Sequence, residues 1–188
     1  MNGLPFGLKQ KNKLQIIMTQ PKFEDLLLQT AFSCMACDSD IEKREIDLIT
    51  SLEKKERLFN VENIEDELNQ LVKEINQKGI GFLKEFLSNL DKASLSEDQE
   101  LKIIRIALKT IESDEKVEYS EIKFFKIIRT KLNVSNQKIL EKLSHINNLE
   151  EYLEQDIISD SYLKKLTLDY FSSQSIPEFD LIKLNQED

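Results

Sequence analysis

Glycine, proline and cysteine are scarce in this sequence, and tryptophan is absent. The 188 residues include 4 glycines, 3 prolines, 2 cysteines and 1 histidine. Scarce glycine and proline remove most turn signals, and the abundant Lys, Glu, Leu and Ile favour helix over strand. The composition therefore predicts an all-α protein.

Long hydrophobic runs are also missing. A membrane-spanning helix needs roughly 20 consecutive apolar residues, whereas the apolar runs here are interrupted by Lys or Glu every few positions. The first 20 residues contain neither a long apolar run nor a small-residue cleavage site of the kind that ends a signal peptide. We therefore expect a soluble, cytoplasmic protein that does not insert into a membrane.

The sequence also lacks a concentrated run of basic residues. The formal net charge is -9, and the basic residues are interspersed among acidic ones. Such a chain disfavours binding to a nucleic-acid backbone. The only local basic excess, at Lys9, Lys11 and Lys13, predicts a weak electrostatic tether at most.

Helical periodicity runs through most of the chain. Apolar side chains recur three or four residues apart, with a break at Gly79-Ile80-Gly81 and a helix start at Ser96. We predict an N-terminal arm over 1–20, a compact bundle of about 7–9 helices over 21–171, and a C-terminal tail over 172–188. Either the tail docks on a groove of this or another protein through its apolar residues, or it frays; those residues are Ile176, Phe179, Leu181 and Ile182.

Two segments of the chain repeat one another at an offset of 76 residues. Both read D-x-x-[IV]-E-x-x-E-I, within helix-loop-helix units over about 23–56 and 97–132. The matched pairs are Asp38 with Asp114, Ile41 with Val117, Glu42 with Glu118, Glu45 with Glu121, and Ile46 with Ile122. A second echo follows each unit, as Phe59-Asn60-Val61 and Leu132-Asn133-Val134.

Local physics accounts for the repeated residues. The Ile or Val is expected to plug the corner between two helices. Asp38 and Asp114 lie where a side chain accepts hydrogen bonds from the free N–H groups of the next helix start. Glu45 and Glu121 fall in that helix's first turn, where negative charge complements the macrodipole. On this interpretation the acidic loops only cap helices.

The tandem pattern of Asp, two residues, Ile or Val, three residues and Glu resembles the TerB-like tellurite-resistance family, over roughly 23–145. The resemblance implies an all-helical bundle with two such units. It also implies a bacterial stress or phage-defence role, as an acidic partner of membrane-associated proteins, with a divalent cation bound by the acidic loops in some members. One position departs from the pattern: Ser39 and Glu115 stand where the family usually has Gly, which tolerates positive φ cheaply.

The acidic loops are candidate cation sites. Carboxylate oxygens are the ligands that Ca²⁺ and Mg²⁺ prefer. The first loop offers Asp38, Asp40, Glu42 and Glu45, and the second offers Asp114, Glu118 and Glu121. Neither loop is an EF-hand, because the required Gly and the final Glu are missing.

The remaining motifs predict no catalysis. Cys34-Met35-Ala36-Cys37 lies at a predicted helix end, where the dipole raises a thiol pKa, so we expect two structural cysteines. His145 is expected on the surface, and the phenylalanines are expected in the core; these are Phe82, Phe86, Phe124 and Phe125. The sequence has no phosphate-binding Gly loop, nucleophile elbow or HExxH motif.

The leading hypothesis is a noncatalytic TerB-like module that binds a protein partner through an acidic face, with or without a divalent cation. The alternative is a structural adaptor whose acidic loops only cap helices and whose partner docks on an apolar groove. A third hypothesis is a small enzyme that acts on a phosphorylated compound with metal at Asp38 and Glu45, which a deep pocket around those carboxylates would support.

Overall fold

The protein is a helical bundle, as the sequence predicts. The structure, a computed structural model, describes residues 22–113, 117–146, 149–153 and 160–184. Within these ranges the chain forms nine helices and no strand. The helices are α1 (Phe23–Ala36), α2 (Lys43–Glu56), α3 (Ile64–Lys78), α4 (Ile80–Lys92), α5 (Glu97–Ile111), α6 (Tyr119–Arg129), α7 (Asn136–Lys142), α8 (Leu149–Leu153) and α9 (Asp160–Ser173).

Local side chains determine where the middle helices begin. The Asn63 side chain accepts hydrogen bonds from the backbone N–H groups of Glu65 at 3.0 Å and Asp66 at 3.3 Å, and so caps α3. Ser96 forms a capping box with Gln99, in which the Ser96 N–H donates to Gln99 Oε1 at 2.9 Å and Ser96 Oγ accepts from the Gln99 N–H at 3.3 Å. The predicted helix start at Ser96 is confirmed.

Gly79 alone separates α3 from α4. Its φ of 54° and ψ of -136° lie in a region that is essentially restricted to glycine. Its N–H donates to the Ile75 carbonyl at 2.6 Å and so ends α3. Gly81 lies inside α4, so the predicted break over both glycines narrows to one residue.

α1 is the central helix of the bundle. Its side chains are buried on nearly every side between Leu26 and Ala36, because α5, α4, α3 and α6 all pack against it. The four phenylalanines expected in the core are buried there. Phe32 of α1 meets Phe82 edge-on, with ring centroids 5.6 Å apart.

The C-terminal helix fixes the end of α1. Tyr170 of α9 is fully buried, and its hydroxyl donates to the Cys37 carbonyl at 2.6 Å. The chain after α9 then runs without regular structure to residue 184 and lies along α3. Across the described ranges, no helix has the length and apolarity required to traverse a bilayer.

Candidate acidic-loop site

The loop between α1 and α2 folds around its own carboxylates. Asp38 Oδ1 accepts from the Asp40 N–H at 3.0 Å, and Asp40 Oδ1 accepts from the Ile41 N–H at 2.9 Å. Both hydrogen bonds lie within the loop, before α2 begins at Lys43. The expectation that Asp38 caps the next helix is therefore wrong: it stabilises the loop instead, because the Asp40 N–H is the nearer donor.

Ser39, which stands where the TerB-like pattern usually has Gly, occupies the left-handed region that glycine favours. Its φ is 78°, so the loop keeps a positive φ even though it has a side chain there. A residue with a Cβ adopts this conformation at a cost of roughly 1–2 kcal/mol. A hydrogen bond from Ser39 Oγ to the Ser175 carbonyl, at 2.8 Å, offsets part of that cost.

Glutamates cap the starts of α2 and α6. Glu45 Oε2 accepts from the Glu42 N–H at 2.9 Å, and Glu121 Oε2 accepts from the Glu118 N–H at 2.6 Å. Glu45 is 2% exposed and Glu121 is 1% exposed. Their predicted position in a first turn is confirmed, and their burial means that a partner cannot reach them.

The charges of the two loops interact although the loops are 76 residues apart in the repeat. Burial raises the pKa of Asp38 above its usual value; the hydrogen bond from Asp40 opposes this, and the nearby charges of Asp40 and Glu118 raise the pKa further. Glu118 belongs to the second repeat unit and Asp38 to the first. The fold therefore assembles one acidic surface from both units, which no local pattern in the sequence reveals.

The structure describes six of the seven carboxylates that are predicted to bind a cation. The described part of the chain contains no cluster of three or more His, Cys, Asp or Glu side chains disposed to hold a metal ion. Glu45 and Glu121 instead accept backbone N–H groups, as do Asp38 and Asp40 in the first loop. Asp114 lies outside the described residues, so the seven-carboxylate cation site stays a prediction.

The two cysteines lie beneath this surface. Cys34 and Cys37 are both reduced and fully buried at the end of α1. Burial raises the pKa of the Cys34 thiol well above its usual value, and the charges of Glu121 and Glu45 raise it further. The thiolate form is thereby disfavoured, which agrees with the prediction of structural cysteines. His145 is exposed, as expected.

Two more glutamates, Glu53 and Glu100, are buried and hold turns, which the sequence pattern does not predict. Glu53 accepts from the Phe59 N–H at 2.8 Å and the Val61 N–H at 3.2 Å. Each bond holds the turn after α2. Asn60 between these donors has a φ of 52°, so the turn needs a positive φ as well.

Glu100 plays the same part in the second unit. It accepts from the N–H groups of Asn133, at 2.8 Å, and Val134, and from Asn133 Nδ2 at 3.2 Å. The signal in the sequence was the echo of Phe59-Asn60-Val61 in Leu132-Asn133-Val134. The carboxylate comes from the second helix of the first unit but from the first helix of the second unit, so the two turns are not held in equivalent ways.

A surface cavity of about 410 Å³ lies away from the acidic loops, between α4, α6 and α9. None of the acidic-loop residues lines it, so it gives no support to metal-assisted chemistry at Asp38 and Glu45. Its lining residues are Lys84, Leu87, Ser88, Asp91, Ile127, Lys131, Thr167, Leu168 and Phe171.

Comparison of the chain with protein-family models, with curated proteins and with solved structures finds no match in any of the three. The resemblance to the TerB-like family therefore rests on the repeated acidic motif alone.

Proposed function

We propose that this chain is a noncatalytic, TerB-like binding module whose paired acidic loops receive a basic surface of a partner protein, in a bacterial stress or defence pathway. The observation that supports the proposal is the electrostatic interaction between Asp38 of the first loop and Glu118 of the second. The negative charges of Asp40 and Glu118 raise the pKa of Asp38, and a cationic group placed beside Asp38 relieves that repulsion.

Burial divides the acidic residues into two groups. Glu45 and Glu121 are buried caps, whereas Asp40 is exposed and Asp38, Glu42 and Glu118 are partly exposed. Glu42 and Glu118 also complete the capping boxes, since their side chains accept from the N–H groups of Glu45 and Glu121. Only the second group can contact a partner. A membrane-associated protein with a Lys- or Arg-rich cytoplasmic segment has the complementary chemistry. A bound Ca²⁺ or Mg²⁺ ion would relieve the same repulsion and compete for the same carboxylates.

Site-specific photo-crosslinking in bacterial cells that express the full chain tests this proposal. A photoreactive residue at Asp40 is expected to trap a partner protein, and the crosslink should be lost when Asp38→Asn and Glu118→Gln are added. Asp47 is exposed on α2 and provides the control position. The same crosslinked proteins at Asp40 and Asp47, or crosslinks that survive the neutralising changes, would contradict the proposal.

The structural-adaptor alternative is favoured by one observation: Glu45 and Glu121 already serve as helix caps. Calorimetric titration with Ca²⁺ and Mg²⁺ addresses the cation, because a ligand that binds only the folded chain also raises its stability. Saturable binding that Asp38→Asn abolishes would support a cation-dependent site. No heat up to millimolar cation, together with no crosslink at Asp40, would leave the loops as caps.

A further inference from the structure

The C-terminal tail is held on α3 mainly by two asparagine side chains, and Glu65 accepts one further bond, from the Leu184 N–H at 3.3 Å. Asn76 Nδ2 donates to the Phe179 carbonyl at 2.8 Å, and Asn76 Oδ1 accepts from the Phe179 N–H at 2.9 Å. Asn69 makes the same two bonds to Ile182, at 2.9 Å and 2.8 Å. Each amide therefore pairs with both backbone groups of one tail residue, and no tail side chain takes part.

The distance between the two asparagines along α3 matches the distance between the two tail residues that they bind. Asn69 and Asn76 are seven residues apart, which is about 10.5 Å along a helix. Phe179 and Ile182 are three residues apart, which is about 9–10 Å in an extended chain. In a flat β-strand these two residues would point their backbone groups to opposite edges. Both face α3, so the tail has the three-residue repeat of a polyproline-type chain.

Burial along the tail repeats every three residues in the same way. Ile182 is buried, at 6% exposure, and Ile176 and Phe179 are partly buried against the core. The residues between them are exposed, including Leu181 at 52%. The groove in which the tail lies on α3 therefore accommodates apolar side chains at every third position. Asn69 and Asn76 bind the backbone of an extended chain.

Charge adds a further element of recognition. Lys73 is exposed and stands between the two asparagines on this face of α3, four residues after Asn69 and three before Asn76. The tail has exposed acidic residues at Glu178 and Asp180, flanking Phe179. An acidic residue between the apolar positions is thus opposite in charge to Lys73, which lies between the two asparagines.

We propose that this face of α3 is a binding site for an extended segment of a partner protein that carries bulky apolar residues three apart with an acidic residue between them. The chain's own residues 174–184 occupy the site as a built-in competitor. The proposal does not depend on the acidic loops. Because the asparagines form hydrogen bonds only with backbone groups of the tail, another segment with this pattern can form the same bonds.

The tail is a removable occupant. It follows the last helix of the described chain, and Ile182 is its one buried side chain within residues 174–184. Terminal segments with few buried apolar contacts open at low free-energy cost. While docked, the tail competes at an effective concentration in the millimolar range, which weakens the apparent affinity for a partner segment.

Fluorescence anisotropy with a labelled peptide of residues 172–184 tests the site on the full chain. The double variant Phe179→Asp and Ile182→Asp vacates the groove, and we expect it to bind the peptide at least tenfold more tightly than the wild type. Adding Asn69→Ala and Asn76→Ala should abolish binding. Gln70→Ala and Gln77→Ala, exposed and one residue further along α3, form the matched control and should leave binding intact.

A second measurement covers the case in which the tail variant fails to fold. In the isotope-labelled wild-type chain, millimolar unlabelled peptide should displace the tail and shift the backbone amide signals of Phe179 and Ile182 by NMR, but not those of Gln70. No saturable binding by the folded tail variant, or binding that persists without both asparagines, would overturn the proposal. A wild-type dimer that Asn69→Ala dissociates would assign the groove to a second copy and would overturn it too.

Discussion

Replacing Glu100 by Gln tests whether a buried carboxylate holds the turn after α6. Glu100 is 4% exposed and accepts the N–H groups of Asn133 and Val134. A hydrogen bond to a charged acceptor contributes about 1.5–3 kcal/mol and one to a neutral acceptor about 0.5–1.5 kcal/mol. Neutralising the acceptor of two such bonds therefore costs about 2 kcal/mol, or about 4–8 °C in Tm for a chain of this size.

Urea and thermal unfolding of matched variants measure this cost. Glu97→Gln is the control on the same helix, because that side chain is 56% exposed and pairs with Lys138 at 3.5 Å. Exposed pairs contribute about 0–1 kcal/mol, so the control should remain near wild type. Glu100→Ala should cost more than Glu100→Gln, since it leaves both N–H groups without an acceptor. Equal stability of Glu100→Gln and Glu97→Gln would refute the reasoning.

Four further variants have expected outcomes that unfolding experiments check. Gly79→Ala should destabilise by about 1–3 kcal/mol because of its φ of 54°, whereas Gly81→Ala, inside α4, should stabilise by about 0.5–1 kcal/mol; equal effects would contradict the backbone account. Tyr170→Phe should cost about 1–2 kcal/mol through the lost bond to the Cys37 carbonyl, and no loss would contradict it. Folding raises the pKa of Asp38, so the stabilising contribution of the protonated carboxyl is present below the usual aspartate pKa and is lost as pH rises through the folded pKa. Asp38→Asn should therefore be more stable than wild type at neutral pH but not at pH 3. The reverse order of stabilities would contradict the raised pKa.

Much of the fold follows from local pattern. Apolar periodicity predicts a bundle of helices, since each helix must bury one face, and the units predicted over about 23–56 and 97–132 correspond to α1 with α2 and α5 with α6. α1 departs from that rule: it is buried all round rather than on one broad face, because four other helices surround it. A single glycine ends α3 because only Gly79, and not Gly81, takes a positive φ.

The acidic site was predicted in part. The repeat identifies Glu45 and Glu121 as residues of a first turn, because capping is a local interaction between neighbours in sequence. It cannot show that Asp38 and Glu118 share one surface, since that depends on how the two units pack. Nor does the repeat separate carboxylates that accept backbone N–H groups from those that face solvent.

The tail illustrates the same limit. Its apolar residues at every third position are visible in the sequence, but Asn69 and Asn76 are ordinary polar residues of an amphipathic helix until the chain folds. Glu53 and Glu100 likewise resemble solvent-exposed helix residues. Each of these contacts joins segments that are distant in sequence or separated by a turn, which periodicity does not encode.

The most direct test of the account is an NMR titration of the Asp38 carboxyl in the wild type and in Glu118→Gln. Burial holds the pKa of Asp38 above the usual aspartate value, and if the two repeat units form one acidic surface this pKa falls when Glu118 is neutralised. Glu67→Gln, at an exposed position on α3, should leave it unchanged. A pKa of Asp38 that does not respond to Glu118→Gln would contradict the central claim that both loops act together.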